Sequence, residues 1–190
     1  MWNGSCRFKI QAILVLALLI CGEARAADEF DGVKCGSDVS KALVGKRSSN
    51  QPVAALEGRH KDLGLKNLGG FEVSDRLSTE SWLICRREFE VLVDTRSQMI
   101  RDVLPFPSHS KRSPSFIGEC QVNGHEMAGT VLAVLDNKAG YNARDSHLAK
   151  TLLKATAAWK IDEAQARFEA LSIEGLGCPL EGIATLDGGP

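Results

Sequence analysis

Apolar and polar residues alternate most regularly in the middle of the chain, in SWLICRREFEVLVDTRSQMIRDVLPF, and a period of two marks strands that bury one face. Trp82 and Ile84 share one face of a first strand, Phe89, Val91 and Val93 one face of a second, and Met99–Leu104 forms a third. Asp94–Ser97 reads as the turn between the last two, so the pattern predicts a three-stranded meander. The alternation stops at PFPSHSKRSPSF, residues 105–116, where three prolines remove backbone donors and predict an exposed loop. Beyond it, Asn123-Gly124 is the pair best suited to a two-residue type I′ turn, because both positions need positive φ. Phe116–Val122 and His125–Leu135 are therefore expected to pair, with Gly129 marking a bulge.

The stretch ATAAWKIDEAQARFEAL, residues 155–171, carries two patterns. Its good helix formers recur at helical spacing. Ala158-Trp159-Lys160-Ile161, however, echoes Ser81-Trp82-Leu83-Ile84, and both runs lead through a polar stretch to Phe-Glu. The echo favours a second hairpin, with Trp159 and Ile161 inward and Phe168 returning opposite them. Near the start, Ser37 or Asp38 can cap a short helix running to Val44. Residues 47–70, rich in Ser, Asn and Gly, are expected to be irregular, and residues 175–190 to form a Gly-rich tail. The fold class is mainly β, bordering on α+β: a small antiparallel barrel or a two-layer sandwich with a short N-terminal helix.

Composition changes this picture chiefly at the N-terminus. Arg7 and Lys9 precede an apolar run, and Ala24-Arg25-Ala26 offers small residues at a cleavage site, so residues 1–26 read as a removed signal peptide. Residues 27–190 then form one domain, secreted or periplasmic, without a stable membrane anchor. Its formal charge moves from −1 to about −3, with no basic excess to attract nucleic acid. Cys6 and Cys21 leave with the signal. Cys35, Cys85, Cys120 and Cys178 remain, spaced too widely for zinc pairs, and two disulfides are expected, each stabilising the fold by ~2 to 5 kcal/mol. Three pairings are open.

Candidate chemistry is sparse. Ser108, His109 and Ser110, with Asp102 as an orienting carboxylate, hold the ingredients of a nucleophilic hydrolase. His125 stands beside Glu126, but neighbours on a strand point to opposite faces and cannot converge on one substrate. His60 and His147 lie in polar surroundings and read as exposed, as do the glutamates Glu72, Glu80, Glu88, Glu90, Glu119 and Glu126. No nucleotide fingerprint is present, and neither a metal nor a cofactor is expected. The reading that results is a non-enzymatic binding domain for a protein or small ligand outside the cytoplasm. Its expected contact loops are residues 105–116 and 137–147. A hydrolase assembled from distant His, Ser and carboxylate positions is the alternative.

Overall fold

The structure, a computed structural model, describes residues 27–141 and 151–180. The expected signal segment 1–26, residues 142–150 with His147, and tail residues 181–190 lie outside the described residues.

Two antiparallel sheets form the molecule. The first is a meander of β1 (Lys66–Glu72), β2 (Leu77–Ile84), β3 (Arg87–Asp94) and β4 (Met99–Phe106), in that spatial order. The predicted three strands are β2 to β4, and their alternation decides the face. Trp82, Ile84, Phe89, Val91 and Val93 all enter one core with Ile100 and Val103. That face is covered by N-terminal segments. Helix α1 (Val39–Leu43) is capped by Asp38, whose carboxylate accepts from the Lys41 N–H, and it buries Val39 and Leu43. Phe30 meets Trp82 edge-on at 4.9 Å between ring centroids and is 2% exposed.

Residues 47–70 are not irregular, as the composition suggested. They hold a second helix, α2 (Val53–Arg59), a 3₁₀ turn at Lys61–Leu63, and the start of β1. Helix α2 has no side-chain cap and buries only Leu56, so neither capping chemistry nor a broad apolar face marked it in the sequence. Strand β1 lies at the edge of the sheet and carries two glycines in seven residues, which erases its alternation. A second correction concerns Pro105, which lies within β4, opposite Phe89. An edge strand can accept a residue without an N–H on its open side. The exposed loop therefore starts at Pro107.

The second sheet contains β5 (Ser115–Gly118), β6 (Gln121–Val122), β7 (His125–Glu126), β8 (Val131–Leu135), β9 (Leu152–Asp162), β10 (Arg167–Ala170) and β11 (Leu176–Pro179). Its order is β5-β8-β9-β11-β6-β7, with β10 also on β9. Asn123 and Gly124 have φ of 52° and 82°, as the type I′ turn requires, and join β6 to β7. The long pairing expected around that turn is broken in two. Phe116 pairs with Ala133 in β5·β8, and the β6·β7 ladder is separate, with Gly129 in the interruption. The hairpin reading of residues 155–171 holds: Phe168 lies opposite Ile161, and Ala170 opposite Trp159.

The sheets face one another. Leu77, Leu92 and Phe106 of the first pack with Leu132, Val134 and Ile161 of the second, and the Asp102 carboxylate accepts the Phe168 N–H across the gap at 2.8 Å. Neither sheet closes into a barrel. The second sheet buries a further core on its far face, around Phe116, Leu135, Leu153 and Leu180.

The disulfides are Cys35–Cys85 and Cys120–Cys178, spanning 50 and 58 residues. Closing loops of that length removes about 4 kcal/mol of unfolded-state freedom each in the chain-entropy account. Cys85 and Arg86 form the β2–β3 turn with φ of 53° and 64°, a conformation that costs side-chain-bearing residues energy. The bridge to Cys35 and the bond from the Cys85 N–H to the Leu63 carbonyl hold it. Both bridges stay on their own side of the 107–114 loop, so each sheet has its own. A protein with one engineered protease site between Lys111 and Arg112 should, once cut and denatured, run as two separate fragments without reductant; crossed pairing would keep them joined until reductant is added.

Candidate functional site

The tip of the first expected contact loop and residues 137–141 of the second lie together; residues 142–147 of the second lie outside the described residues. The first loop is closed at its tip by reciprocal backbone bonds between Ser110 and Ser113, both 2.9 Å, which present Lys111 and Arg112 to solvent. The second begins at the end of β8. Asn137 joins them: it is 3% exposed, its N–H donates to the Arg112 carbonyl at 2.9 Å, and its Nδ2 donates to the carbonyls of Lys111 and Tyr141. Its Oδ1 accepts the Tyr141 N–H at 2.9 Å. A buried amide is stable only when its donors and acceptors are engaged, and Asn137 meets that condition by fixing both loops. Nothing local in the sequence marked it. The resulting surface displays Lys111, Arg112, Lys138 and Tyr141. Lys138 pairs with Asp136 at 3.1 Å, which holds the Asp136 carboxyl below its usual range.

Beneath the first loop lies a polar row on the face of the first sheet that turns toward the second. Successive outward positions of β3 place Glu88 and Glu90 there, Ser81 of β2 lies directly opposite Glu90, and His109 folds over from the loop. Ser81 Oγ donates to Glu90 Oε1 at 2.7 Å. Glu90 Oε2 has no partner among the described residues, and Glu90 is 3% exposed. Burial, with the Glu88 charge adding to it against the Ser81 bond, pushes its carboxyl up to about 7. Burial also raises Glu88. The alternation that predicted exposed glutamates correctly gave the polar face of β3, but that face is covered.

The suggested hydrolase residues do not assemble locally. His109 Nδ1 is 3.5 Å from Glu88 Oε2, outside the 2.6–3.2 Å reach of proton transfer. Ser108 and Ser110 are exposed, and neither hydroxyl bonds to His109 among the described residues. Asp102 is engaged by the Phe168 and Val103 N–H groups. His125 is exposed on β7, opposite Val122.

His60 was read as exposed and is instead buried, 8% exposed, with Nε2 2.8 Å from Asp28 Oδ1. Arg59 Nη1 lies 2.6 Å from the other Asp28 oxygen, and the Phe30 N–H donates to Oδ1. Burial pushes the Asp28 carboxyl up, but His60, the Phe30 amide and Arg59 together hold it below its usual range. Asp28, Asp31 and His60 bring oxygen and nitrogen donors within 4.8 Å of one another. With a guanidinium already on the carboxylate, the group acts as the anchor that ties residues 28–31 to α2.

The native state keeps the Glu90 proton up to about pH 7, whereas the unfolded chain releases it near the ordinary 4.5. Stability contributed by this group is therefore present at acid pH and lost as pH rises from about 4.5 to 7. Glu90→Gln should match the parent near pH 4.5 and exceed it by about 3 kcal/mol above pH 7, measured by urea unfolding across that range.

No family model matches the chain, and neither a curated protein nor a solved structure does.

Proposed function

We propose that the protein is a non-enzymatic binding module of an oxidising compartment, secreted or periplasmic, which engages a protein partner through the joined loop surface. The observation that carries this reading is Asn137, buried and fully bonded between two loops distant in sequence. Fixing loops before binding lowers the ordering cost of association, so side chains on them contribute more of their contact energy to affinity. The displayed chemistry supports the same reading: Arg112 and an exposed Tyr141, with Ser108, Ser110 and Lys138 also exposed on these loops, are the residue types that anchor recognition surfaces. Lys111 and Arg112 at the loop tip, with Lys138 held by Asp136 beside them, favour a partner with an acidic patch. Export is supported by the signal-like segment and by two disulfides, which persist outside the reducing cytoplasm.

The test is capture of a partner from the organism's secreted fraction followed by titration with variants. The pair Arg112→Ala and Tyr141→Ala should weaken binding at least about tenfold while leaving the melting temperature unchanged. Unchanged affinity after replacing residues 108–113 and 138–141 with Gly/Ser linkers would overturn the assignment.

A further inference from the structure

A second concavity lies on the helix-covered face of the first sheet and shares no residue with the loop surface. It is a cleft of about 250 Å³ between α2, β1, β2 and the N-terminal segment. Gly69 and Gly70 form one wall beside a bulge in β1, where the register slips between Asn67 and Gly69. A side chain at Gly70 would drive its Cβ to 2.4 Å from the Thr79 carbonyl, so the strand keeps this position bare. Apolar lining comes from Val53, Leu56 and Trp82.

The polar lining is acceptor-rich and unbalanced in charge. Glu29 is 3% exposed, and its Oε2 accepts the Ser49 N–H at 3.0 Å. Glu80 Oε2 accepts the Trp82 indole N–H at 2.9 Å, which leaves Oε1. The Ser49 hydroxyl is buried without a hydrogen-bond partner among the described residues. No lysine or arginine lines the cleft among the described residues, and the two neighbouring cations are committed elsewhere: Arg59 to Asp28 and Gln51, and the Lys46 ammonium to the backbone carbonyls of Glu29 and Asp31. Burial raises the Glu29 carboxyl, against its own backbone and the nearby Ser49 hydroxyl and N–H, which lower it, with a small further rise from the Asp28 charge. Two carboxylates, with beside them a hydroxyl that receives no hydrogen bond among the described residues, call for a compact donor of several hydrogen bonds bearing positive charge. An ammonium supplies three donors on an apolar stem, and the stem would lie against the exposed Val53 side chain at the rim, with Leu56 and Trp82 behind it.

We propose that this cleft binds an alkylammonium group, with Glu29, Glu80 and Ser49 receiving the head and the apolar lining receiving the stem. The same chemistry is offered by a free alkylamine and by a lysine side chain of a protein, and the experiment separates them. Calorimetric titrations of the full chain would use 1-aminopentane, a blocked Gly-Lys-Gly peptide, and 1-pentanol as the uncharged control. At least one ammonium probe should bind about tenfold or more tightly than pentanol. Binding of the amine alone assigns a free amine; binding of the peptide, with or without the amine, assigns a protein side chain.

Glu29→Gln should weaken binding about tenfold. Because that variant alters a buried group, Val53→Lys supplies an independent reading. Val53 is 43% exposed at the rim, and a lysine there should occupy the cleft and abolish binding in a protein with native circular dichroism. The proposal is overturned if neither ammonium probe saturates by about 10 mM, if pentanol binds as well as they do, or if folded Val53→Lys binds unchanged.

Discussion

The contact on which the rest of the structure depends is the layer between the two sheets. Leu77, Leu92 and Phe106 meet Leu132, Val134 and Ile161 there, with Trp159 and Phe168 at the margin and Asp102 accepting the Phe168 N–H across the gap. On either side of this layer each half of the chain is built alike: one antiparallel sheet, one disulfide, and a core on the far face. A half alone is so short that a single core is marginal, even with a bridge to restrict its unfolded state. The shared layer supplies the missing burial. Burying both faces of a sheet is also what allows β8 to be apolar at every position, Val131 to Leu135, where a strand with one wet face would alternate.

The layer is not uniform, and its polar end explains where the loop surface sits. Leu77 and Leu92 occupy the dry part, whereas Ser81, Glu88, Glu90 and His109 gather where β4 leaves the sheet. Phe106 links the two, since its ring meets both His109 and Trp159 edge-on or tilted. The loop after β4 is thereby held from below by the His109 ring packed edge-on against Phe106 and from the side by Asn137. A loop fixed at two points displays its tip reproducibly, and that is the property a recognition surface needs. The cleft on the opposite face is shaped by different means: a bulged, glycine-bearing edge strand leaves open the space that side chains fill elsewhere.

What the sequence disclosed were the features whose cause is local. Asn123-Gly124 specifies its turn by itself, Asp38 caps α1, and the alternation of Trp82, Ile84, Phe89, Val91 and Val93 defines a buried face. The echo between the two Trp-containing runs resolved residues 155–171 as a hairpin against good helix propensity, because Ile161 and Phe168 had a shared face to occupy. The features that stayed hidden have distant causes. Alternation shows that Glu90 is on the polar face of β3, but only the second sheet makes that face dry. Asn137, His60 and Pro105 each owe their setting to a residue or an edge far along the chain. The Cys85-Arg86 turn lacks any turn residue, since the bridge to Cys35 holds what Asn or Gly would otherwise supply.

The central claim is that the two halves stand or fall together through their common layer. Native-state hydrogen exchange on Leu92→Ala, a truncation of a fully buried residue expected to cost about 2 to 5 kcal/mol, tests it most directly. The account predicts that amides of the β8·β9 ladder lose as much protection as those of β2·β3, although Leu92 belongs to neither β8 nor β9. Loss confined to the first sheet, with β8 and β9 protected as in the parent, would contradict it.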